Sequence, residues 1–245
     1  MPTVQQDLHT FLDGSFVEFE QLLEQHEPKL AHQEFGEVTY VGHGIARVKG
    51  IPGVQLDELV IFADGLQGMV FNLDENEVGV ILLGKSRDLR AGSQVYRTGR
   101  VIDVPVGQAL LGRVVDAMGH PVDDLGPVRT AGRRAVEQRA PAIMERSPVT
   151  EPLQTGCKVI DALLPIGRGQ RELILGDRQI GKTAIALDTI INQADKDVLC
   201  VYCVVGQRNA QVARFIADLR MHDALAYTVV VMASGEEAPG MQFLA

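Results

Sequence analysis

Gly176-Asp177-Arg178-Gln179-Ile180-Gly181-Lys182-Thr183 decides how the second half of this chain folds. It matches G-x-x-x-x-G-K-[ST], a phosphate-binding loop that works between a strand and a helix. Arg171–Leu175 before it reads as a short apolar strand, and Thr183–Gln193 after it reads as a helix with one apolar face. In that geometry successive backbone N–H groups point into one concavity and the helix N-terminus adds partial positive charge. Gly176 and Gly181 allow backbone conformations and close phosphate approach that a Cβ would obstruct. Lys182 supplies a point charge for the β- and γ-phosphates, and the Thr183 hydroxyl is a Mg²⁺ ligand. The pattern predicts a nucleoside triphosphate as ligand.

Downstream, strands and helices alternate: Val198–Val205 strand, Ala210–Met221 helix, Tyr227–Met232 strand. That order predicts βαβ units and a parallel sheet. Binding is not hydrolysis, which also needs a group to orient or activate water. The strand at 198–205 ends in Gly206-Gln207-Arg208, and the neutral Gln207 cannot act as a carboxylate base there. After the strand at 227–232, the acidic candidates are Glu236 and Glu237, which read better as a solvated loop. The sequence stops in the apolar run Gln242-Phe243-Leu244-Ala245 and reads as an incomplete domain.

Upstream, the first segment reads as an amphipathic helix over 1–28, with Val4, Leu8, Phe11, Leu12, Phe16, Phe19, Leu22 and Leu23 at mostly helical spacing. It is either a docking element for another protein or packed on its own domain. From 34 to 83 the pattern changes to short runs, Glu37–Val41, Ile45–Val48, Leu59–Phe62, Met69–Leu73 and Val78–Leu83, punctuated by Gly, Pro and Asp turns. About six strands in so short a stretch predict a small antiparallel barrel. The lone His43, between two glycines, reads as a turn residue. The expected domains are a helical segment at 1–28, a barrel at 29–97 and a P-loop α/β domain at 98–245, with 85–150 irregular.

The 245 residues carry a net charge of −9, which argues against a nucleic-acid backbone as the main ligand. Residues 1–37 hold eight acidic side chains against Lys29 alone. Lys85, Arg87, Arg90, Arg97 and Arg100 are opposed only by Asp88 and read as a solvated face. Three cysteines imply no disulfide framework. Cys200 and Cys203 sit three apart in a strand, so they face opposite ways and read as buried structural residues. No apolar run reaches membrane-spanning length, and no signal-peptide pattern opens the chain, so an intracellular protein is expected, with membrane association through a partner.

Residues 151–193, with Val104-Pro105-Val106-Gly107, Leu111–Asp116, Cys200-Val201-Tyr202 and Gln242–Ala245, resemble the α subunits of rotary F-type ATP synthases. The resemblance is specific at Asp177-Arg178-Gln179 and weakest in the first thirty or so residues. It implies a peripheral-stalk-binding helix, a six-stranded crown barrel and a RecA-like nucleotide domain. It also implies an alternating α3β3 ring around a central γ shaft, with a δ subunit on the stalk, held peripherally at the cytoplasmic face of the membrane. The implied function is a regulatory, non-catalytic ATP/ADP site with Mg²⁺, in an enzyme that couples ATP chemistry to proton or sodium transport. Gln179, Gly181, Lys182, Thr183 and Ala184 carry over as nucleotide contacts, and Gln207 stands where the catalytic β subunit has its glutamate. Family members continue beyond this length, through a later strand, an interface arginine and a helical domain. Two alternatives stand beside it. One is a standalone nucleotide-binding or assembly-interaction protein outside an active ring. The other is an RNA-translocating ATPase, against which the barrel's few cations, Arg47 and Lys49, count.

Overall fold

A computed structural model describes residues 33–245, and the helix expected over 1–28 lies outside the described residues. The alternating apolar runs fold as β1 (Phe35–Gly42), β2 (Ile45–Lys49), β3 (Glu58–Phe62), β4 (Gln67–Leu73) and β5 (Val78–Leu82), with β6 (Gln94–Val101) completing a closed antiparallel barrel. The neighbour order is β1-β2-β5-β4-β3-β6, and closure pairs β6 back onto β1. Inward-facing Val38, Ala46, Val48, Val60, Phe62, Val70, Val80, Leu82 and Val95 fill the interior. Each fully buried side chain of this kind contributes roughly 1.5–3 kcal/mol, so the plug rather than any surface pair dominates barrel stability. His43 and Gly44 make the β1–β2 turn, both at positive φ (53° and 79°), which matches the right-handed twist of the flanking strands.

Two expectations are corrected here. The closing strand β6 lies in the stretch read as irregular, and it runs past residue 97 to Val101. Its Arg97 is also no part of a solvated face. The guanidinium donates from Nε and Nη2 to the Glu58 carboxylate at 2.9 and 3.0 Å and from Nη1 to Glu34. Between Glu58 and Val60 the β3–β6 register shifts, and the amide of Gly99 in the bulge donates to Glu58 Oε1 at 3.0 Å. Burial pushes the Glu58 carboxyl up, but the Arg97 guanidinium and the Gln55 and Gly99 amides outweigh it and leave the group below the usual carboxylate range.

Beyond the barrel, β7 (Asp103–Val106) pairs with β9 (Gly132–Ala135), and β8 (Val114–Asp116) lies between them in sequence. Arg113 opens β8 by gripping Asp123 at 2.7 and 2.9 Å, and the same carboxylate accepts the Val114 amide. A two-stranded ribbon, β10 (Pro152–Leu153) and β11 (Ile166–Gly167), brackets α1 (Lys158–Leu163). The helix after the glycine loop is α2 (Lys182–Ile191), followed by β12 (Cys200–Val205), α3 (Asn209–Met221), β13 (Thr228–Ala233) and α4 (Pro239–Leu244). The parallel sheet is ordered β12-β13-β8, with Ile190 of α2 and Phe215 and Leu219 of α3 packed against Val114 and Val230.

The strand expected at Arg171–Leu175 is a third correction. The segment forms no ladder among the described residues, and Leu173 and Leu175 are each 78% exposed. An apolar run becomes a strand only where a neighbour takes its N–H and C=O groups. β13 is paired on both edges, and neither β12 nor β8 takes the segment on its outer edge. The cysteine reading is corrected as well: Cys200 is half-buried and Cys203 exposed, its thiol donating to the Ala245 carbonyl at 3.2 Å. Finally, Gly240 lets α4 lie on the barrel, because a Cβ there would strike the carbonyl oxygen of Leu82.

Candidate functional site

The glycine loop turns into α2 through Gly181, whose φ of 99° lies in the left-handed region that a side chain resists. Gln179 is also left-handed, at φ 65°. Such strain in a non-glycine residue persists where the surroundings over-determine it, and it clusters at ligand sites. The first amides of α2 have no intrahelical acceptors, so they face the loop as free donors. Lys182 folds back over this concavity. Its ammonium donates to the carbonyl of Gly176 and, at 2.6 Å, to that of Asp177. Weak neutral acceptors of this kind are readily exchanged for phosphate oxygens, which make stronger charge-assisted bonds.

Opposite the loop stands the tip of β12. Gly206, at φ 69°, turns the chain out of the strand, and its amide donates to Ala233 at 2.8 Å. The Gln207 carbonyl accepts the Gly235 amide at 3.1 Å, so the tip of β13 fixes the Gln207 backbone. Ser234, whose carbonyl accepts Gln242 Nε2 at 3.1 Å, ties that turn to α4.

Loop and strand tip enclose a cavity of about 720 Å³. Arg178, Gln179, Lys182 and Thr183 line it from one side, Gln207 from the other. Of the residues singled out in the sequence, Gly176, Asp177, Ile180, Gly181 and Ala184 shape the loop and helix start without lining the cavity. Glu236 and Glu237 are not in its wall either. Sequence reasoning missed Arg208, Arg214, Tyr202 and Phe215, which also line it. The ring of Tyr202 stacks on that of Phe215 with centroids 3.9 Å apart, forming the cavity floor. The missed signal is helical spacing. Residues 208, 211, 212 and 215 recur at three- and four-residue intervals, so one side of α3 faces the loop.

The cavity wall holds four cations, Arg178, Lys182, Arg208 and Arg214, and no carboxylate. For a metal, the Thr183 hydroxyl is a hard oxygen donor. No cluster of three His, Cys, Asp or Glu side chains suited to a metal occurs among the described residues. The arrangement therefore fits a metal that arrives on a polyphosphate.

A closed barrel followed by a P-loop α/β domain, with a neutral amide facing the loop, defines a class of nucleotide-binding subunits. Comparison with known proteins narrows it. The beta-barrel domain of the ATP synthase alpha/beta family matches residues 32–99, and the nucleotide-binding domain of the same family matches residues 156–245. The chain is 53% identical over 239 residues to "ATP synthase subunit alpha 2" of Syntrophus aciditrophicus (strain SB), covering 98% of this chain and 46% of that protein. It is 56% identical over 238 residues to "ATP synthase subunit alpha 2" of Polaromonas naphthalenivorans (strain CJ2), covering 97% and 46%. To "ATP synthase subunit alpha 1" of Marinomonas sp. (strain MWYL1) it is 53% identical over 236 residues. The chain belongs to the ATP synthase alpha/beta family and corresponds to the N-terminal region of an α subunit. It spans about half the length of the curated relatives it matches, 46% in the first two. No helix among the described residues is long and apolar enough to cross a membrane.

Proposed function

We propose that this chain binds Mg-ATP or Mg-ADP in the cavity between the glycine loop and the β12 tip, and holds it without turnover. One observation carries the reading: Lys182 and Thr183 face Gln207 across a cavity whose wall contains four cations and no carboxylate. The loop amides and Lys182 bind the phosphates. Thr183 would supply the protein's oxygen ligand to a Mg²⁺ that arrives with the polyphosphate. The metal's role is to neutralise charge on the β- and γ-phosphates. Gln207 orients by hydrogen bonding and cannot accept the proton of an attacking water, so the nucleotide persists as a structural and regulatory ligand.

The role proposed for the chain is that of a non-catalytic, regulatory α subunit. Accordingly the chain would sit beside β subunits in an alternating α3β3 ring, around a γ shaft, with δ on the peripheral stalk. The assembly is held peripherally at the cytoplasmic membrane face and couples ATP synthesis or hydrolysis to ion transport. The proposed division is a barrel domain that ends with β6 at Val101 and a nucleotide domain beyond it. The α-subunit names of the relatives support this reading.

Titration calorimetry tests the site. ATP with Mg²⁺ is expected to bind once per chain, and Thr183→Ala to remove most of the gain that Mg²⁺ gives over metal-free ATP. Equal affinity for ATP with and without Mg²⁺ in the unaltered protein would contradict the assigned role of Thr183.

A further inference from the structure

The cavity's charge exceeds what the glycine loop supplies. Lys182 and Arg178 belong to the loop, but Arg208 and Arg214 come from the other wall. Arg208 is the N-cap of α3, and Arg214 lies further along the same helix. Neither guanidinium has an ion-pair or hydrogen-bond partner among the described residues, and nor has that of Arg178. In a protein of net charge −9, cations gathered around one cavity without a carboxylate run against the average surface. Like charges held close together raise the energy of the empty site, and an anion relieves it in proportion to its own charge.

Position says which part of the ligand they meet. A water-activating group at the β12 tip has to reach the terminal phosphorus, because that is where attack occurs. Gln207 occupies that tip, and Arg208 is the next residue. The loop side therefore grips the phosphates, the terminal one among them, from one wall, and the α3 side adds charge from the opposite wall where the phosphate that a diphosphate lacks would lie.

We propose that Arg208 and Arg214 are specificity-determining residues that bind the terminal phosphate and make this site discriminate nucleoside triphosphate from diphosphate. The inference rests on the reading of the cavity as a nucleotide site. It assigns the discrimination to two residues outside the loop pattern. Both side chains are exposed, so their removal leaves the packed core intact.

Equilibrium titration of the intact chain with Mg-ATP, Mg-ADP and inorganic tripolyphosphate provides the test, with thermal unfolding of each variant measured alongside. Arg208→Ala and Arg214→Ala are each expected to weaken ATP and tripolyphosphate binding about 10-fold, leaving ADP within about twofold. Arg208→Lys keeps the charge but not the fork, and recovers part of the loss. The dependence of ATP affinity on salt becomes shallower in both alanine variants. If ATP and ADP weaken together, or neither changes, the inference is overturned while the site stands. If the unaltered chain binds neither nucleotide, the reading of the cavity fails and the inference with it.

Discussion

Lys182→Ala is expected to weaken Mg-ATP binding by about 100-fold or more while leaving the thermal unfolding of the chain almost unchanged. Truncating one partner of a desolvated charge pair costs about 2–5 kcal/mol, which converts to roughly 30-fold to several thousand-fold in affinity. Lys182 donates to carbonyls of its own loop and not to the core, so the fold does not depend on it. Lys182→Arg is expected to rescue poorly. The broad guanidinium does not fit where a compact ammonium reaches the carbonyls of both Gly176 and Asp177. Isothermal titration with Mg-ATP checks both variants. Micromolar or tighter binding by Lys182→Ala would remove the glycine loop from the site.

Arg97→Ala carries the largest expected stability loss, about 3–5 kcal/mol near neutral pH, because it strands a carboxylate inside the barrel wall. Glu58 is 2% exposed and takes two hydrogen bonds from that guanidinium. The pH dependence separates this cause from lost packing. In the unaltered chain Glu58 sits below its ordinary value of 4.5. Its contribution is therefore complete above that value and is lost as pH falls through the lowered folded-state value. Without Arg97, burial is opposed only by the Gln55 and Gly99 amides, so the carboxyl rises and acid relieves part of the defect by protonating Glu58. The stability gap between the two proteins should be wide at pH 7 and narrow toward pH 4, as read by urea unfolding. Glu58→Gln added to Arg97→Ala should recover part of the loss at pH 7. A gap that stays constant across this range would mean that the buried charge is not what Arg97 offsets.

These two residues also show where the sequence was legible. Lys182 sits in an eight-residue pattern whose spacing is its mechanism, so local reading sufficed. Five barrel strands were equally plain, since apolar residues recur along short runs broken by turns such as His43-Gly44. The closing strand was hidden. Gln94–Val101 carries two arginines and a glycine, its bulge breaks the alternation, and the partners of Arg97 lie 39 and 63 residues away. Leu173-Ile174-Leu175 erred the other way: apolarity was present, but no strand among the described residues pairs with it. Parallel pairing of β8 with β13 joins residues far apart in sequence, so no local pattern announced it. In the site, Gln207 was found by asking what ends the strand after the loop. Arg208 and Arg214 required the orientation of α3, which sequence spacing only hints at.

The central claim joins a phosphate-gripping loop to a neutral amide where a proton acceptor would otherwise stand. It is tested most directly by incubating the purified intact subunit with Mg-ATP and assaying the nucleotide recovered from it. The account predicts ATP returned uncleaved, with no measurable turnover in either the unaltered chain or Gln207→Ala. Sustained release of ADP and phosphate by the subunit alone, abolished by Gln207→Ala, would contradict it.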